Sequence, residues 1–93
     1  MTGTDERASH FVSLLVMFER AHLFQHVDHM RIGQSIFNAA STTFDKNIVR
    51  QATGTNQDPH IVYGNFDPFY DDRKTLSFLV RLLDALEEEA SNA

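Results

Sequence analysis

Seven of the eight residues in Phe11-Val12-Ser13-Leu14-Leu15-Val16-Met17-Phe18 are apolar, in a chain of only 93 residues. Between Asp5 and Phe24 the positions Ala8, Phe11, Val12, Leu15 and Phe18 recur at three- and four-residue steps, the repeat that lines one side of a helix. Leu14, Val16 and Met17 widen this surface beyond a single stripe, so the helix needs cover from more than one direction. The run is shorter than the ~20 apolar residues that span a bilayer. With Asp5 and Glu6 before it, Glu19 and Arg20 after it and no small-residue cleavage site, it does not read as a signal peptide either. Thr4 or Asp5 is the expected N-cap, and the expected location is cytoplasmic.

A second helix is predicted from near Asp28 to Ala40, where Ile32, Ile36 and Ala40 follow at four-residue steps with Phe37 beside them. Gly33 inside it costs about 1 kcal/mol relative to alanine, which points to a close helix crossing. Ser41-Thr42-Thr43 interrupts the pattern with residues that favour caps, and Phe44 to Ala52 then carries a short third helix ending at Thr53-Gly54. Residues Gly54 to Pro59 read as loop, Ile61-Val62-Tyr63 as extended chain or a brief helical turn, and Gly64-Asn65 as a turn.

In the last segment Leu76, Leu79, Leu83, Leu86 and Ala90 form a seam flanked by Val80 and Leu82. It is too short for a coiled coil and is expected to pack against the first helix. The predicted fold is all-α, a small bundle of three main helices plus one short helix. Residues 1–93 form a single helical domain, frayed over residues 1–6 and 88–93, with the first and last helices as its hydrophobic centre.

Eight Lys and Arg against thirteen Asp and Glu give a net charge of −5, and there is no basic run to neutralise a phosphate backbone. Direct nucleic-acid binding is therefore not expected. The absence of cysteine excludes a disulfide framework, a thiolate nucleophile and Cys-based metal sites. No glycine-rich phosphate loop, nucleophile motif or paired catalytic carboxylates are recognisable, so neither an enzyme nor a cofactor is expected.

The polar candidates fall in two groups. Arg31, Gln34 and Asn38 lie on the side of the second helix opposite its apolar stripe, where a guanidinium and two amides can recognise a carboxylate or backbone edge. In Asp67-Pro68-Phe69-Tyr70-Asp71-Asp72 the carboxylates suit caps for the last helix and the rings suit packing beneath the turn. A calcium site on Asn65, Asp67, Asp71 and Asp72 is not expected, because the glycine and distal glutamate of an EF-hand are missing. His22, His26 and His29, spaced four and three apart, share a face if the first helix continues that far. A solvated helix end is the plainer account of them, and a metal site is the alternative.

Arg31-Ile32-Gly33-Gln34-Ser35-Ile36-Phe37-Asn38, followed later by Asp67-Pro68-Phe69-Tyr70-Asp71-Asp72 and a leucine-rich helix, resembles short bacterial and phage reading frames with no assigned activity. The resemblance covers roughly residues 30 to 86 and implies a small helical domain. The resulting expectation is a small acidic protein-binding module, a regulator or phage-type inhibitor acting by protein–protein contact. Its partner-binding residues would be Arg31, Gln34, Asn38, Asp67, Tyr70, Asp71 and Asp72. The alternative is a metal-binding helical protein using His22, His26 and His29. No membrane partner is expected, and a homodimer through the Leu14 and Met17 face is the expected cover for the first helix.

Overall fold

A computed structural model describes residues 2–54 and 66–92. The described residues contain four α-helices, α1 Thr2–Val27, α2 Ile32–Thr43, α3 Lys46–Thr53 and α4 Thr75–Ser91, with a 3-10 turn at Asp72–Lys74 leading into α4. They contain no strand, so the chain is all-α. The loop and turn expectations for residues 55–65 lie outside the described residues.

Three boundaries differ from expectation, one in α1 and two in α2. Helix α1 begins at Thr2, so Thr4 and Asp5 stand inside it rather than capping it. It ends in a turn where His29 takes a left-handed φ of 56° and the Asp28 and Met30 N–H groups donate to the Phe24 carbonyl. That turn uses up Asp28 to Arg31, so α2 starts at Ile32. Helix α2 also runs through Ser41-Thr42-Thr43, because the Thr42 and Thr43 hydroxyls donate to the Ala39 carbonyl and satisfy themselves within the helix.

Helix α3 follows its local signals. The Asp45 carboxylate accepts the Asn47 and Ile48 N–H groups, and Gly54, at φ 86°, closes the other end with its N–H on the Arg50 and Gln51 carbonyls. Arg81 of α4 adds hydrogen bonds to the Gln51 and Ala52 carbonyls, a cation placed at the negative end of the helix. Its guanidinium also lies 4.4 Å from the centre of the Phe66 ring.

One core draws on every helix: Met17 and Ala21 from α1, Ile36, Ala39 and Ala40 from α2, Ile48, Val49 and Ala52 from α3, and Phe78, Leu82, Ala85 and Leu86 from α4. Helix α1 lies chiefly along α2 and α3 along α4, so the centre is not the α1–α4 pair alone. The register of α4 is a second correction. Its buried stripe is Phe78, Leu82, Ala85, Leu86 and Ala90, whereas Leu76 and Leu83 of the expected leucine seam are 72% and 50% exposed. Small Ala85 and Ala90 on the buried side let neighbouring helices come close beside Phe78, Leu82 and Leu86, and Leu76 and Leu83 fall outside that contact. Of the ends expected to fray, residues 2–6 and 88–91 lie in helix, with the Arg7 guanidinium next to them on both oxygens of Glu87 at 2.6–3.1 Å and Ala90 buried.

Candidate functional site

The expected partner-binding residues turn out to build a junction between α2 and the turn before α4. No residue of α2's own N-terminus caps it. Instead the Gly33 N–H donates to Asp72 Oδ1 at 3.0 Å, a cap delivered from 39 residues away. Arg31 reaches over the same carboxylate, with Nε 3.5 Å from Asp72 Oδ1, and donates through Nη2 to the Phe69 carbonyl. A side chain at Gly33 would overlap the Pro68 carbonyl oxygen and approach Asp72 Oδ1 to 2.9 Å, so only glycine permits this crossing.

The remaining carboxylates of the stretch are engaged locally. Asp67 Oδ1 accepts the Phe69 N–H at 2.8 Å, and Asp71 accepts both the Arg73 N–H and the Arg73 guanidinium. The hydrogen bonds from Arg73 hold the Asp71 carboxyl below its ordinary range and raise the Arg73 guanidinium. Phe69 sets its ring edge-on to Phe37 at 5.7 Å and to Tyr70 at 4.7 Å, and Tyr70 is 70% exposed. Asn38 is turned to Met30, with Nδ2 3.2 Å from Sδ, and Gln34 is half-buried beside them on α2. The structure therefore gathers Arg31, Asp67, Tyr70, Asp71 and Asp72 at one end of α2. Asp67, Asp71 and Asp72 serve three different sets of donors rather than converging on a cation.

The histidine expectation is corrected in part. His22 and His26 are exposed neighbours on α1 with ring centres 4.1 Å apart, but His29 lies beyond the helix at the left-handed turn. The turn carries it off their face, and the three do not form a ligand set.

A different cluster was not visible in the sequence. His10 Nε2 lies 3.1 Å from Glu89 Oε1 and 3.6 Å from Glu6 Oε1, and its side chain is only 14% exposed. Glu6 and His10 share a face of α1 at four-residue spacing, which is a local signal, but Glu89 comes from α4, 79 positions away. Only the antiparallel pairing of α1 and α4 reveals it. The neighbouring Arg7–Glu87 pair bridges the same two helices, and its hydrogen bonds lower the Glu87 carboxyl and raise the Arg7 guanidinium.

The third feature is an apolar seam along α1 and α4. Phe11, Leu15 and Phe18 of α1 are 63%, 55% and 47% exposed, and Leu76, Val80 and Leu83 of α4 are exposed to similar degrees. Phe11 and Leu83 line one groove with Leu14 and Leu86, while Phe18 and Leu79 line another with Ile32 and Ile36. The expected Leu14 and Met17 face is corrected here: Met17 is fully buried in the core and Leu14 packs against it. Met17 sits about 100° around the helix from Phe18, on the side that faces α2 and α4.

Among known proteins, no family model, no curated protein and no solved structure matches the chain. No helix of the described residues is long and apolar enough to cross a membrane.

Proposed function

We propose that the chain is a small acidic protein-binding module that acts by protein–protein contact rather than by catalysis, and that a second copy of the chain covers its apolar seam. The observation that carries this reading is the set of large side chains left open along α1 and α4. A monomer of this size rarely leaves so extended an apolar surface to water. From their fractional exposures, Phe11, Leu15, Phe18, Ile32, Leu76, Val80 and Leu83 offer roughly 700 Å², close to the ~800 Å² that each partner contributes to a standard interface.

Two features favour a second copy as the occupant. A two-fold axis crossing the seam at right angles to the helices lays α1 along α1 and α4 along α4 of the second copy, so the same open apolar side chains meet from both chains. The same axis brings the two ends of α4 together. Lys74 precedes it and Asp84 and Glu88 lie towards its other end, so charges outside the Arg73–Asp71 and Arg7–Glu87 pairs meet with opposite sign at the rim of the dimer. The acidic residues outside the seam leave each subunit suited to a basic partner surface.

Light scattering across a concentration series tests the reading. The expected mass is twice the 10.6 kDa of one chain, falling to one chain in Leu15→Glu or Leu83→Glu with helicity unchanged. A single-chain mass that persists on concentration, or dimers that survive both substitutions, would overturn it.

A further inference from the structure

We propose that Glu6, His10 and Glu89 form a divalent-metal site of the zinc class at the closed end of the α1–α4 pair. The three ligand atoms lie within 4.8 Å of one another and come from two helices that the Arg7–Glu87 pair also bridges beside them. Zinc bonds to imidazole nitrogen and carboxylate oxygen at about 2.0–2.2 Å, which puts tetrahedral ligands roughly 3.4 Å apart. The Nε2–oxygen separations of 3.1 and 3.6 Å bracket that spacing, and with all three atoms within 4.8 Å the two carboxylates seat an ion by drawing together around the imidazole.

Charge favours a cation here. Among the described residues the one ion-pair partner of Glu6 and of Glu89 is His10, since Arg7 is committed to Glu87. With a neutral imidazole, the form that binds metal, the two carboxylates have no ion-pair partner among the described residues. The donor set is also mixed. One nitrogen and two oxygens, with a cleft alongside lined by Glu6, Gln51, Glu88 and Glu89, leaves a fourth position open to water. A nitrogen ligand favours zinc and its transition-metal neighbours over calcium or magnesium, which take oxygen alone.

His22 and His26 supply an internal control. They are exposed, lie on one helix and, among the described residues, gain no third ligand from another element, so any affinity they have is incidental.

Titration calorimetry with Zn(II) alone, on untagged protein in a non-chelating buffer, tests the site. One equivalent should bind with a micromolar dissociation constant, equally in the wild type and in the His22→Ala/His26→Ala double variant. His10→Ala and Glu89→Gln should each weaken it at least tenfold. Glu89→Gln keeps the shape of the side chain and its hydrogen-bonding oxygen, and far-UV circular dichroism on every variant separates lost ligand from lost fold. No binding in the wild type, loss in the His22/His26 variant, or retention in folded Glu89→Gln and His10→Ala would each overturn the assignment.

Discussion

Gly33 and Asp72 show how a single contact can serve two elements. The Asp72 carboxylate caps α2 and meets Arg31, and the absence of a Gly33 side chain lets the backbone around Pro68 lie against the helix. Gly33→Ala therefore sets two effects in competition. Helix propensity favours alanine by about 1 kcal/mol, while overlap with a backbone oxygen, which cannot rotate away, costs about 1–3 kcal/mol or more. The overlap is expected to win, so the melting temperature should fall. A rise would mean that the crossing is looser than the structure shows. Asp72→Ala should cost about 1 kcal/mol for the lost cap, and Asp72→Asn less, because its amide oxygen can still accept the Gly33 N–H. Urea unfolding distinguishes the two. The glycine was legible in the sequence because it breaks a helical pattern without ending it. The carboxylate was legible only as a local cap, since nothing at Asp72 announces a donor 39 residues earlier.

Long-range closure of helix ends recurs among the elements. Arg20 of α1 donates to the Thr42 carbonyl and Thr43 hydroxyl at the end of α2, and Arg81 of α4 does the same for α3. Such contacts explain why α3, with its own Asp45 and Gly54, was readable from sequence while the bounds of α2 were not. The α4 register was missed for another reason. Its apolar residues cover more than half its circumference, so periodicity identified a helix and placed Leu86 and Ala90 inside, but leucine content also drew in Leu76 and Leu83, which lie on the open side. The two stripes predict opposite responses to truncation. Leu82, fully buried, should lose about 2–5 kcal/mol on replacement by alanine, whereas Leu83, half exposed, should lose less than about 1 kcal/mol when measured on dilute chain. Equal losses in urea unfolding would return the leucine seam to the core.

At the scale of the molecule, the four helices form a plate rather than a ball. The Cα extents are 41 × 34 × 18 Å and the radius of gyration is 13.2 Å, against about 12.3 Å for a compact chain of this length. Packed helices lie 8–10 Å apart, so a thickness of 18 Å leaves no room for a further layer over α1 and α4. The width of apolar surface on α1 was therefore legible in the sequence, and the demand for cover with it. Which residues remained open was not, because that depends on the side α2 takes. If a second plate supplies the cover, stability belongs to the dimer and depends on concentration by mass action. Each tenfold increase should add about 1.4 kcal/mol per mole of dimer, which for a dimer of this size raises the melting temperature by about 3–6 °C. Calorimetric melts across two decades of concentration should show that slope in the wild type. In Leu83→Glu the slope should vanish, with a melting temperature below that of the wild type even at its most dilute, because the substitution removes the partner and leaves only the core of the single chain in place. A wild-type melting temperature independent of concentration would identify the plate as a stable monomer and leave the seam without its second copy.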